Sequence, residues 1–250
     1  MADQDVSTGP TATGLRPQRV VIITGASQGM GAALVEAYRK LNYAVVANSR
    51  SITASDDPGV AAVAGDIADP ATADSLVATA VERFGRVDSL INNAGVFVAK
   101  PFTEYTEADY EHVTAVNLTG FFHITQRVIA QMLSQGEGGH VVNVTTTLVE
   151  HADARIPSAL ASLTKGGLAA VTKSLATEHA RSGIRVNAIS PGVIDTPMHA
   201  DADHAALAGL HPLGRLGTVD DIVAGVLYLE TATFVTGEIL HVDGGQSAGH

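Results

Sequence analysis

Apolar positions along the chain fall into two alternating rhythms. Short runs rich in Val, Ile and Ala, at 19–24, 44–49, 59–65, 89–95, 140–146, 184–190 and 238–244, predict strands. The first, fifth and sixth are almost continuously apolar, the pattern of strands covered on both faces. Between the strands stand longer stretches with helical spacing, near 29–41, 70–84, 107–134, 158–182 and 219–229. The second carries its own start and stop signals: Asp69 as an N-cap, Pro70 in the first turn and Gly85 just past the end. Strand–helix alternation implies a parallel sheet with right-handed crossovers and helices on both faces. No repeat or compositional break marks a second domain. The expectation is an α/β chain with one doubly wound, three-layer domain over 19–250, preceded by a flexible tail at 1–18 that is rich in Gly, Pro and Thr.

Composition narrows the partners more than the fold. Aromatic residues are few and Trp is absent, so the core must be built from small side chains in close helix–strand contact. A formal net charge of −11 argues against nucleic acid and anionic membranes as partners, because both attract basic surfaces. With no Cys there are no disulfides and no thiolate chemistry, and the reducing cytoplasm is the expected compartment. No apolar run reaches the roughly 20 residues of a membrane span. The first residues lack the basic start and apolar core of a secretory signal. Compact metal spacings such as H-E-x-x-H are missing, and so is the G-x-S-x-G elbow of many hydrolases, so neither a metal site nor a serine nucleophile is expected.

The first strand runs into "TGASQGMG" and then into an amphipathic helix. Gly25, Gly29 and Gly31 permit a tight turn, close approach of backbone to a phosphate and close helix–sheet packing. The helix start offers free N–H groups and a positive dipole end to a pyrophosphate. The spacing is G-x-x-x-G-x-G rather than G-x-G-x-x-G, but its place between strand and helix reads as nucleotide binding.

That loop, with "NNAG" (92–95), "VNLTGFF" (116–122), "VNVTT" (142–146), "LTKGGLAAVTKSLATEHARSGIRVNAISPGVIDTP" (163–197) and "GEILHVDGG" (237–245), resembles the short-chain dehydrogenase/reductase family over nearly the whole chain from Arg19. The resemblance implies a Rossmann-type fold and a nicotinamide dinucleotide. It implies that the cofactor's phosphates lie along Gly25, Ser27, Gln28, Gly29, Met30 and Gly31, with Asp66 and Ile67 flanking the adenine. Asn93, Ala94 and Gly95 would line its middle, and Pro191, Gly192, Ile194 and Thr196 its nicotinamide end.

An NAD site usually carries an acidic residue at the end of the second strand, bonded to the ribose hydroxyls. Here that place holds Ser49, followed by Arg50. A hydroxyl and a guanidinium can hold a 2′-phosphate by charge-assisted hydrogen bonds, where a carboxylate would repel it. NADP(H) is therefore favoured, with NAD(H) as the alternative.

Carbonyl reduction needs a hydride, a group to polarise the oxygen and a proton. In the family a Tyr gives the proton, and a Lys one helical turn later binds the nicotinamide ribose and lowers the Tyr pKa. A Ser holds the substrate oxygen, and an Asn links the Lys to solvent. By resemblance Lys165 is the Lys, Asn117 the Asn and Thr146 the Ser equivalent, with Thr145 and Thr147 as alternatives because the stretch up to residue 161 is longer than usual. The Tyr position is Ala161. The chain's tyrosines, at 38, 43, 105, 110 and 228, all lie on other segments.

Three readings follow. In one, the protein reduces a carbonyl with a proton from elsewhere: His151, Asp153, Ser158 or a water held by Lys165. In the second, the substrate is an imine or iminium, whose reduction gives an amine rather than an alkoxide. In the third, the protein binds NADP(H) as a sensor or scaffold without turnover. The segment 193–217 is expected to form a flap over a small-molecule substrate, with Met198, Leu207, Leu210, Leu213 and Phe97 as candidate walls. The resemblance further implies a homotetramer or dimer built through the long helices and the last strand.

Overall fold

Seven strands pair side by side among the described residues, 18–200 and 202–249 of this computed structural model. They are Val20–Thr24 (β1), Ala44–Ser49 (β2), Val60–Ala64 (β3), Ser89–Asn92 (β4), Gly139–Val144 (β5), Ile184–Pro191 (β6) and Ile239–Val242 (β7). Their order is β3-β2-β1-β4-β5-β6-β7 and every pairing is parallel. The expected tail, apart from Gln18, lies outside the described residues.

The helices are Gly29–Lys40 (α1), Pro70–Phe84 (α2), Glu107–Thr114 (α3), Phe121–Gln135 (α4), Ala159–His179 (α5), His204–Ala208 (α6) and Val219–Thr231 (α7). Alternation within β1 shows how the layers form. Val20 and Ile22 face a cluster with Leu76, Ile124, Val128 and Ala176 from α2, α4 and α5. Val21 and Ile23 face Leu34, Tyr38, Ile222 and Val226 from α1 and α7. All four β1 side chains are wholly buried, worth about 1.5–3 kcal/mol each before entropic costs. α2 has the ends expected of it: the Asp69 carboxylate accepts from Ala71 N, Pro70 opens the helix, and Gly85 follows at φ +86°.

The long helix expected over 107–134 is instead divided. Between α3 and α4, Ala115–Gly120 winds as a π turn. A π turn inserts one residue into the i→i−4 ladder without changing the hydrophobic period much, which is why the pattern did not predict it. Short helical turns also occur within 193–217, at Pro197–His199 and in α6.

At the N-terminal edge of the sheet a buried polar cluster surrounds Glu230 of α7. Its carboxylate accepts from the Tyr38 and Tyr43 hydroxyls (3.0 and 2.9 Å), Ser89 Oγ (2.9 Å) and His140 Nδ1 (2.8 Å). His140 Nε2 accepts from Asn187 Nδ2 at 3.1 Å, so the ring is neutral.

Candidate active site

The strand order reverses between β1 and β4, and the crevice at their C-terminal ends is where an open α/β sheet binds ligands. Thr24, the last residue of β1, fastens the two ends together. Its hydroxyl accepts from Asn93 N (3.1 Å) and Ala94 N (3.0 Å) and donates to Ile91 O (3.3 Å). Asn93 Nδ2 donates to Thr24 O (2.9 Å) and Gly25 O (3.0 Å). Gly25 turns at φ +66°, and a Cβ on Gly31 would stand 2.1 Å from Gly25 O. These glycines are therefore required by backbone geometry and by close packing. Gln28 caps α1 without any side-chain hydrogen bond, so no side chain occupies the first-turn N–H groups. Gly29 lies against Thr196, with its Cβ position 3.5 Å from the Thr196 Cβ. The loop and the foot of the 193–217 segment thus meet. Ser27 and Gln28 are exposed and Met30 is half-buried.

Ser49 and Arg50 sit at the C-terminal end of β2. The Ser49 hydroxyl accepts from Ser51 N (3.2 Å), while Arg50 is exposed and ion-paired to no described residue. Past β3, exposed Asp66 accepts from Ala68 N (3.0 Å), and buried Ile67 packs against Gly120 of the π turn. The uncapped helix start, the two glycines with no room for a side chain and the free guanidinium fit a dinucleotide carrying a 2′-phosphate.

Lys165 lies one turn into the buried face of α5, between the ends of β4 and β5. Nζ donates to Val144 O at 2.7 Å and is 3.0 Å from the Cβ position of Gly95. Burial alone pushes its pKa down to about 8. Asn117, in the π turn, sits nearby, with its Oδ1 3.5 Å from the same Cβ position of Gly95. Its Oδ1 accepts from Val96 N (2.9 Å), and its Nδ2 donates to Val96 O (3.0 Å) and Thr164 Oγ1 (3.1 Å). The amide fixes the chain leaving β4 and makes no hydrogen bond to Lys165.

Of the three threonines, two are engaged. Thr145 donates to Ile189 O (2.9 Å) and Thr147 to Asp243 Oδ2 (2.8 Å). Thr146 is half-buried and only accepts, from Leu148 N at 3.4 Å, which leaves its hydroxyl proton available. Ala161 is 2% exposed. None of the tyrosines replaces it: Tyr38 and Tyr43 bind Glu230, Tyr105 donates to Val98 O (2.8 Å), and Tyr110 and Tyr228 are exposed on α3 and α7. Asp153 is paired with Arg155 at 2.5 Å, and that hydrogen bond holds its carboxyl down to about 2, so it is no proton donor near neutrality. Ser158 is the buried N-cap residue of α5 and makes no capping bond. His151 is half-buried on the loop before it.

On the far side, Pro191 ends β6 and Ile194 pairs with Gly217, which ties together the two ends of the 193–217 segment. Leu210 is buried, whereas Met198 and Leu213 are largely exposed and Phe97 lies just beyond the half-buried range. Sequence reasoning missed three residues here. Buried His211 accepts from Val193 N through Nε2 (3.0 Å), and burial lowers its pKa so that it stays neutral. Asp243 ties Thr147 to the C-terminal loop, and His241 pairs with Glu150 at 2.7 Å. Only the fold brings the end of β7 to the segment that follows β5, and the lone signal was "VDGG". An open cavity of about 430 Å³ lies between the 193–217 segment and the end of β7, with Val193, His211, Leu213 and Asp243 among its walls.

Residues 25–247 match the family model described as enoyl-(acyl carrier protein) reductase. The chain is 36% identical over 247 residues to 3β-hydroxysteroid dehydrogenase 1 of Eggerthella lenta, covering 92% of this chain and 94% of that one. Among solved structures it is similar to ElxO with NADP bound, at 27% identity and a TM-score of 0.85, covering 93% of this chain and all of that one. It is also similar to the 3-ketoacyl-(acyl-carrier-protein) reductase of Brucella melitensis complexed with NADH. That match has 31% identity and a TM-score of 0.84, covering 92% of this chain and 98% of that one.

Proposed function

The chain belongs to the short-chain dehydrogenase/reductase family, and from that premise we propose that it is an NADP(H)-dependent oxidoreductase acting on the carbonyl or alcohol of a small molecule, with a proton donor other than tyrosine. The observation that carries this reading is the buried Lys165 ammonium on the floor of the crevice, flanked by Gly95 and by the strand that leads to the available hydroxyl of Thr146. Bound there, the reduced nicotinamide would supply the hydride. Thr146 would polarise the substrate oxygen by hydrogen bonding, and Lys165 would hold the ribose beside it. Asn117 would act by fixing the Val96 backbone that closes the crevice.

Arg50 supports the choice of NADP(H), and the NADP complex of ElxO agrees with it; the NADH complex of the Brucella protein keeps NAD(H) as the alternative. Arg50→Ala is expected to raise the KM for NADPH about tenfold to 100-fold while leaving that for NADH unchanged, as loss of a charge-assisted hydrogen bond requires. Steady-state kinetics with a ketone panel measure this, and a wild-type preference for NADH would sink it. The second reading, reduction of an imine or iminium, is favoured by the buried methyl of Ala161 where the family has its hydroxyl acid.

Assembly into a homotetramer is part of the proposal. It is supported by exposed Phe122 and Leu163 on α4 and α5 and by fully exposed Phe234 ahead of β7, apolar surface that a monomer leaves in water. Sedimentation equilibrium giving a monomer at micromolar concentration would contradict it.

A further inference from the structure

On the segments that flank Lys165 most hydroxyls already donate to a fixed acceptor, those of Thr146 and Ser158 excepted. Thr145 and Thr147 do so as described, Ser162 donates to Leu148 O (3.2 Å), Thr164 to Leu160 O (2.9 Å) and Tyr105 to Val98 O (2.8 Å). Asp153 is held as a carboxylate by Arg155. Thr146 has an available proton, but an aliphatic alcohol holds it too tightly to protonate an alkoxide and regenerate near neutral pH. It can orient the oxygen and no more.

Lys165 differs in both respects. Its ammonium has three N–H groups. One is bonded to Val144 O, and no described residue accepts from the other two. Nζ lies close against Gly95, where a Cβ would stand only 3.0 Å away, so a side chain at that position would displace the ammonium. Ala161 lies one turn earlier on the same buried face of α5 and carries no ionisable group.

Resting on the reductase reading above, we propose that Lys165 is itself the proton donor of the reduction, passing a proton to the substrate oxygen directly or across one bridging water. The carbonyl carbon gains a hydride from the reduced nicotinamide, which is left oxidised, and the oxygen gains a proton from Nζ. One N–H bond breaks and one O–H bond forms. The neutral amine then recovers its proton from solvent. A pKa of about 8 suits an acid working near neutrality. Burial is its only cause. The carboxylates near the end of β5 are occupied elsewhere, Asp153 with Arg155, Asp243 with Thr147 and the amides of Gly245 and Ser247, and Glu150 with His241. None of them bonds to Nζ.

The test compares wild type, Lys165→Ala and His151→Gln with NADPH, using a ketone and a preformed cyclic iminium, with cofactor binding followed separately by NADPH fluorescence. For wild type, kcat/KM with the ketone should fall about tenfold per pH unit above about pH 8. Lys165→Ala should lose about 100-fold or more in ketone kcat, the range of general acid catalysis, and regain much of it with added methylammonium. Its iminium reduction, which needs no proton, and its NADPH affinity should change far less than that. His151→Gln should stay close to wild type throughout. The proposal is overturned by a flat ketone profile from pH 6.5 to 9.5, by equal loss of ketone and iminium turnover without amine rescue, or by His151→Gln matching the ketone loss. Each of these leaves the reductase reading intact. A wild type that reduces no carbonyl defeats both together.

Discussion

A buried ammonium with a single protein acceptor destabilises the chain that holds it. Lys165 titrates at about 8 instead of its ordinary 10.5, and that difference corresponds to a penalty of about 3 kcal/mol at neutral pH. The sign follows from linkage. Between pH 8 and 10.5 the unfolded chain keeps the proton and the folded one sheds it, so the penalty is complete below pH 8 and fades as pH rises. Lys165→Met, which keeps the volume and removes the charge, should therefore raise stability by about 1–3 kcal/mol in urea titrations at pH 7 while abolishing ketone turnover. A lower midpoint would mean that the Val144 bond outweighs desolvation. The threonines separate in the same way. Thr146→Val should cost ketone kcat/KM about tenfold or more, whereas Thr147→Val should instead appear as about 1 kcal/mol of lost stability, because it frees Asp243. Lys165 was legible through the family resemblance of its segment, but the choice among the three hydroxyls was not, since it depends on Ile189 and Asp243, 44 and 96 residues away in sequence.

At the scale of elements, the junction of β1 with α1 is the tightest in the site. Gly31→Ala would drive a methyl into Gly25 O, and neither group can yield because both are backbone-fixed. A loss of about 2–3 kcal/mol is expected, together with weaker NADPH binding because the loop must lift from Asn93. Thermal unfolding and fluorescence titration would check the two effects, and an unchanged melting temperature would show that the loop accommodates a side chain. The glycine spacing and the strand–loop–helix order made this junction readable in advance. The π turn was not, because one inserted residue hardly alters the hydrophobic period.

Across the whole molecule, stability and chemistry occupy opposite ends of the sheet. The crevice lies at the C-terminal ends of β1 and β4, and Glu230 anchors the N-terminal ends of β4 and β5. For Glu230 burial favours the neutral acid, but the hydrogen bonds from His140, Ser89 and Tyr43 together outweigh it and hold the pKa near 2. Burial lowers that of His140. The unfolded chain therefore binds more protons, first at His140 below pH 6.5 and then at Glu230 below 4.5, so stability should fall steadily on acidification from neutrality. Glu230→Gln should cost about 3 kcal/mol, roughly 6–12 °C in Tm, and blunt the acid dependence while leaving kcat nearly unchanged. Calorimetry between pH 4 and 7 checks it, and an acid dependence as steep in the variant would place its source elsewhere.

The sequence by itself determined the strands, most of the helices, their layering and the nucleotide loop, because hydrophobic period, caps and glycine spacing are local properties. By resemblance it also pointed to Lys165, and to Ala161 where the family carries its tyrosine, two positions that share one helix face. Tertiary structure alone decided that Thr145 and Thr147 are engaged while Thr146 keeps its proton, and that the Asn117 amide serves Val96. Those outcomes depend on which partners the fold brings within hydrogen-bond distance, and on how far it removes Lys165 from water.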